Sequence, residues 1–164
     1  MCDFNYYITN FKDELNKLHL KKITSTSIES SFYDPRNMGF LDKYEGVFNE
    51  STGEFIIRFD VRGTRYDGRT ELIELMNSGE RLHVLRDECN KYNPNNFVIY
   101  NEKKWDVGNM PAELCYVIAP LYDQGLIKFE SAEASYIEPI TKRSIHAKQA
   151  VLFVELKGIL HEKL

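Results

Sequence analysis

Cysteine is scarce and scattered: Cys2, Cys89 and Cys115 are odd in number and contain no C-x-x-C pair. That excludes a disulfide framework or a zinc knuckle as the organising element. No apolar run approaches the roughly 18–20 residues of a membrane span, and the opening MCDFNYY lacks the basic end and apolar stretch of a secretory signal. The expectation is a soluble cytoplasmic protein with no membrane contact. Excess positive charge is also missing, since the formal net charge is −4. A generally polybasic nucleic-acid coat is therefore excluded, whereas a local basic site on an acidic body is not. His19, His83, His146 and His161 are far apart, and no G-x-x-x-x-G-K-S/T, G-x-G-x-x-G or G-x-S-x-G run occurs. Neither a metal nor a cofactor is expected. Cys89 lies in a polar turn near Arg86 and Lys91, but no histidine can be assigned as its base, so a catalytic thiol is the weaker reading. Asp60, Asp67 and Asp87 have no spacing that demands Mg²⁺. An enzyme is the weaker class, and a Mg²⁺-dependent nuclease the weakest specific reading.

What is present fits one folded domain. The 164 residues are 43% hydrophobic and 28% charged, enough to build a core without covalent staples. Asn10 is placed to cap a short helix burying Phe11, Leu15 and Leu18, with Lys21 and Lys22 at its C-terminal end. A Ser/Thr-rich loop from Thr24 to Asn37 follows. The period then drops to two: Phe55, Ile57, Phe59 and Val61 alternate with Glu54, Arg58, Asp60 and Arg62, predicting a strand with one apolar and one charged face. Lys43 to Asn49 with Ser51-Thr52-Gly53 supplies the first arm and turn of its hairpin. Thr70 to Ser78 reads as a helix with Leu72, Leu75 and Met76 inward, stopped by Gly79. Arg81 to Asp87, Phe97 to Tyr100 and Trp105 to Met110 read as strands. Pro111 opens a helix that buries Leu114, Val117, Ile118 and Leu121, and Pro120 is expected to kink or shorten it. Strands near Leu126 to Ser131 and Ala150 to Lys157 flank a loop from Glu138 to Ala147. The fold class is α+β and mostly antiparallel β: an antiparallel domain or a small, partly closed barrel of about six strands with two short helices and an N-terminal helical extension, rather than a doubly wound sheet. The expected division is an extension over 1–50, a main domain over 51–158 and a tail over 159–164.

Two segments carry chemistry. In Arg62-Gly63-Thr64-Arg65-Tyr66 a charged strand runs through a glycine into a guanidinium beside an aromatic ring. Such a pair can hold a phosphate and stack a base, or it can be a strand end with its Arg stem and Tyr ring lying on the barrel rim. The second segment, Arg86-Asp87-Glu88-Cys89-Asn90-Lys91-Tyr92-Asn93-Pro94-Asn95-Asn96-Phe97, is a strand, a polar turn and a strand. It is followed by Val107-Gly108-Asn109-Met110 and then Pro111-Ala112-Glu113-Leu114.

In this order and spacing, over about residues 55 to 157, the chain resembles the HIRAN domain family. This module occurs at the amino end of helicase-like transcription factor and related DNA-repair translocases, and as a stand-alone protein in bacteria and phages. The resemblance implies an OB-like barrel that captures single-stranded DNA at an unpaired 3′ end. By position, Arg65 would contact phosphate, and Tyr66 and Tyr92 would clasp the terminal nucleotide. Asn93 stands where the family places an Asp that accepts from the 3′-hydroxyl, and Asn109 where a His often lies. Asn95 is expected to hold the turn. Pro111 and Ala112 replace basic residues that open the family's helix, which lowers both affinity and salt dependence. Lys142 and Arg143, with His146 and Lys148, are the expected compensation. The expected function is a non-enzymatic module for single-stranded DNA or DNA ends, serving DNA repair. The alternative is a protein-interaction adaptor that keeps the fold without the pocket and meets its partner through residues 1–50.

Overall fold

The computed structural model describes Thr9 and residues 21–23, 45–49, 51–140 and 149–161. Among these residues eight strands and two helices have described bounds, in order: β1 (Lys21–Ile23), β2 (Glu45–Asn49), β3 (Glu54–Asp60), α1 (Arg69–Glu74), β4 (His83–Asp87), β5 (Asn96–Tyr100), β6 (Asp106–Asn109), α2 (Ala112–Asp123), β7 (Ile127–Glu138) and β8 (Val151–Leu160). They form a five-stranded sheet, β1-β2-β3-β8-β7, and a three-stranded sheet, β4-β5-β6. Among the described residues β1 and β2 pair in parallel, and every other neighbour is antiparallel. Lys21 and Lys22 thus lie in a strand rather than at a helix end. The rest of the expected N-terminal helix, the loop to Asn37 and most of the loop from Glu138 to Ala147 lie outside the described residues.

Two backbone seams curl the sheets toward each other. At one, Arg62 and Asn109 exchange N–H to carbonyl bonds of 2.8 and 3.0 Å. At the other, the segment before β4 runs along β7: Gly79 N–H donates to Ala134 O, Ala134 N–H to Glu80 O, and Leu82 N–H to Ala132 O. The result is a mostly antiparallel, partly closed barrel. Leu152, Val154, Leu156 and Leu160 alternate inward along β8, as period two requires, and meet Phe55, Ile57, Phe59, Ile99, Val107 and Ile118 in one core.

Two sequence expectations are corrected by packing, and a third element runs through its proline. Arg58 is not on a solvated face: it is 4% exposed and its Nη2 approaches Glu155 Oε2 at 3.8 Å across the β3–β8 register. Burial, opposed by the Arg58 charge, raises the Glu155 pKa above its ordinary value. Helix α1 ends at Glu74, so Ile73 and Met76 point inward while Leu75 turns out to solvent. Helix α2 runs through Pro120 to Asp123. A helix-interior proline deletes one amide donor, and the burial of Leu114, Cys115, Val117, Ile118, Ala119 and Leu121 holds the helix over that gap.

Candidate nucleic-acid interface

Two loops rise beside the Arg62–Asn109 seam and form the walls of a groove. The first follows β3. Buried hydroxyls pin it down: Thr64 Oγ1 donates to Ala150 O at 3.1 Å and Thr70 Oγ1 to Thr64 O at 2.8 Å, while Ala150 N–H donates to Thr70 Oγ1. The chain between these anchors projects Arg65 and Tyr66 into solvent. Turns close from Tyr66 N–H to Gly63 O and from Arg69 N–H to Tyr66 O, and Asp67 adopts a left-handed φ of 57°.

The second loop joins β4 to β5 and is built by asparagines. Asn90 Oδ1 accepts the N–H of both Tyr92 and Asn93 at 3.0 Å, and Asn93 Oδ1 accepts that of Asn95. Asparagine is suited to this because its side chain can close a turn on its own backbone. The turn lifts Tyr92 to 84% exposure, and Tyr66 stands 58% exposed on the other loop. Each ring carries a cation: Arg65 over Tyr66 at 5.3 Å, and Lys91 over Tyr92 at 5.0 Å.

Between the loops lies an open groove of about 610 Å³ whose lining includes Tyr66, Asp67, Arg69, Asp87, Asn90, Tyr92, Asp106 and Asn109. Several of its polar groups are held by one another. Asp87 Oδ2 accepts from Asn90 Nδ2 and Asn96 Nδ2, and Asn96 Nδ2 also donates to Asn109 Oδ1 at 3.0 Å. Arg69 donates from Nη1 to Gly63 O and from Nη2 to Asp106 Oδ2. With three carboxylates and one guanidinium in the lining, the groove has a formal charge of −2. Cationic side chains stand at its rim.

Below the second loop, Arg86 ties β4 to the end of α2. Its Nε and Nη2 reach both oxygens of Asp123 at 2.9 and 3.0 Å, its Nη1 donates to Asn96 O, and its guanidinium lies 5.5 Å from the Phe97 ring centre. The Asp123 hydrogen bonds raise the guanidinium's pKa further. Arg86→Ala is expected to lower stability by about 2 kcal/mol, as for loss of charge-assisted hydrogen bonds. The urea midpoint of unfolding checks this.

The structure brings Tyr66, Tyr92 and Asn109 to one groove, with Arg65 lying over Tyr66. Asn93 and Asn95 are in the turn beneath Tyr92 and outside the lining. Lys142, Arg143, His146 and Lys148 lie outside the described residues. Sequence reasoning missed Arg69, Asn90 and Asp106 as groove residues. Asp67 and Asp87 do share a site, but Asp60 instead pairs with Arg62 at 2.9 Å. Among the described residues no group of three or more His, Cys, Asp or Glu could hold a metal ion. Burial pushes the Cys115 thiol up to about 11. Pro111 precedes α2, and the acid of its first turn, Glu113, lies 3.7 Å from Arg62. Among the described residues no helix is long and apolar enough to cross a membrane.

Comparisons with known proteins agree with this architecture. The chain is 18% identical to a protein from Lactobacillus plantarum solved by crystallography, covering 66% of this chain and 100% of that chain with a TM-score of 0.51. It is 20% identical to the HIRAN domain of human HLTF in its crystal structure, over 65% of this chain and 78% of that chain, TM-score 0.48. The NMR structure of the HLTF HIRAN domain in its DNA-bound conformation is also 20% identical, over 65% and 76%, TM-score 0.46. No curated protein matches the chain. The HIRAN domain model matches residues 55–153, which is more than half of the 164 residues, and the chain belongs to the HIRAN domain family.

Proposed function

We propose that this HIRAN domain binds single-stranded DNA at a 3′ end, in the groove between the Tyr66 and Tyr92 loops, without catalysing a reaction. The observation that carries the reading is the pair of exposed tyrosines, each with a cation over its ring, facing one groove of about 610 Å³. That volume falls within the range of small-ligand pockets. Exposed rings give bases a stacking platform, and adjacent cations track the backbone. The family supports the assignment, since the HLTF HIRAN domain has been solved in a DNA-bound conformation.

In this reading Tyr66 and Tyr92 hold the terminal nucleotide, and Arg65 with Lys91 meets the phosphates that lead away from it. Asn109 supplies its side-chain amide from the seam. Asn93 and Asn95 set the height of Tyr92, with Asn93 retaining one lone pair of its Oδ1 for a hydroxyl. Few phosphates are neutralised, so affinity depends only weakly on salt. The negative groove disfavours a terminal phosphate and suits a hydrogen-bond donor such as a free hydroxyl.

Fluorescence anisotropy with one labelled sequence in three forms tests the reading: 3′-hydroxyl single strand, 3′-phosphate single strand and blunt duplex. The 3′-hydroxyl strand is expected to bind about tenfold tighter than the others, the upper end of what one neutral hydrogen bond supplies. Equal affinity for the hydroxyl and phosphate ends overturns end recognition.

A further inference from the structure

The groove's unspent hydrogen-bonding groups bear on which terminal base it takes, an inference that rests on the end-binding reading above. In the groove the Arg69 Nη groups and the Asn90 amide are committed internally, although Arg69 Nε is not. Arg69 gives Nη1 and Nη2 to Gly63 O and Asp106 Oδ2, and Asn90 Nδ2 goes to Asp87. The groove's acceptors are only partly committed. Asp106 is engaged at both oxygens, by Arg69 and by the Gly108 N–H. Asp87 uses only Oδ2, for Asn90 and Asn96. Among the described residues, neither Asp87 Oδ1 nor the Asp67 carboxylate has a hydrogen-bond partner, and both residues line the groove beside the two tyrosines.

We infer that the groove prefers a terminal nucleotide whose base presents an exocyclic amine, cytosine or adenine, over thymine, with Asp87 and Asp67 as the acceptors. A carboxylate accepts from the cytosine N4 amine, and the adenine N6 amine is likewise a donor. Thymine presents a carbonyl oxygen where these bases carry the amine, so acceptor faces acceptor there, and its one edge donor, the N3–H, sits between two carbonyl oxygens that repel a carboxylate. Stacking on Tyr66 and Tyr92 cannot make this distinction, because every base has a π-face. Discrimination therefore falls to groups that meet the base edge. Asp87, held through Oδ2 by Asn90 and Asn96, and the exposed Asp67 line the same groove as the two rings and are the groups available to do it.

The test uses the full chain and short oligothymidylates that differ only in a 3′-terminal dC, dA or dT, titrated by fluorescence anisotropy. The dC- and dA-ended strands are expected to bind about tenfold tighter than the dT-ended strand, the size of one good edge contact. Asp87→Asn and Asp67→Asn should each shrink that ratio. Asparagine adopts the left-handed backbone of position 67 at least as readily as aspartate, so Asp67→Asn keeps a folded test available if Asp87→Asn melts early. Equal affinity for all three strands overturns the base preference and leaves end binding standing. A preference that both variants retain removes the carboxylates as its cause. Failure of every strand to bind overturns the end-binding reading and this inference with it.

Discussion

Replacing Tyr66 and Tyr92 together by alanine is expected to weaken single-stranded DNA binding by at least about thirtyfold while the protein stays folded. Loss of a base–aromatic stack costs about 1–3 kcal/mol, and two rings from separate loops face the same groove. The fold should tolerate the change, because the rings stand 58% and 84% exposed and belong to none of the buried core. Phenylalanine at both positions keeps the stacking face and should restore most of the affinity. Anisotropy titrations of the three proteins, with thermal melts alongside, check this. Unchanged binding by the double alanine variant would mean that the strand does not enter the groove.

The arginines explain why so little basic surface emerges from a segment that contains so many. Six of the eight lie between Arg58 and Arg86, yet most are engaged internally. Arg58 faces Glu155 in the interior, Arg62 pairs with Asp60 and Glu113, Arg69 holds Asp106, and Arg86 grips Asp123. Arg65 has a ring rather than a carboxylate beside it. A charge count along the chain cannot separate these roles, because each pairing depends on which strand or loop lies opposite. The acceptor-rich groove behind the rim was hidden for the same reason: Asp67, Asp87 and Asp106 come from a turn and two different strands.

Local pattern was legible where one face of an element decides its placement. The alternation along β3, the turn at Ser51-Thr52-Gly53 and the apolar stripe of α2 all follow from side-chain period. Long-range geometry was not legible. Ile56 and Arg58 are buried on the second face of β3, which a two-faced pattern reads as solvent. Leu75 is outward because α1 ends after six residues, and helix termini are the least determined part of a periodic signal. Tyr66, Tyr92 and Asn109 were marked from chain order and family spacing. That they face one groove depends on the Thr64–Ala150 and Arg62–Asn109 bonds, which join residues far apart in sequence.

The Arg62–Asn109 seam makes a second strong prediction. Gly108→Ala is expected to destabilise the protein by about 3 kcal/mol or more, a large share of the roughly 5–15 kcal/mol that holds a typical domain folded. Gly108 has φ 142°, and a Cβ there would lie 2.3 Å from Val61 Cγ1 and 2.7 Å from Arg62 O. Neither neighbour can retreat cheaply. Val61 is buried in the core, and Arg62 O accepts the Asn109 N–H across the seam. The cost therefore combines overpacking, about 1–3 kcal/mol, with backbone strain of similar size. Gly79→Ala separates these causes: Gly79 also has a positive φ, 87°, but nothing lies within 4 Å of its Cβ position. It should lose only the conformational part, about 1–2 kcal/mol. The same displacement at Gly108 pushes Asn109 away from Asn96 and so loosens the bonds that orient Asp87. Gly108→Ala should therefore bind DNA more weakly even below its own melting temperature, whereas Gly79→Ala should bind as the parent does. Urea unfolding with anisotropy on the same samples reads both effects, and equal destabilisation by the two variants would show that the seam yields to a methyl group.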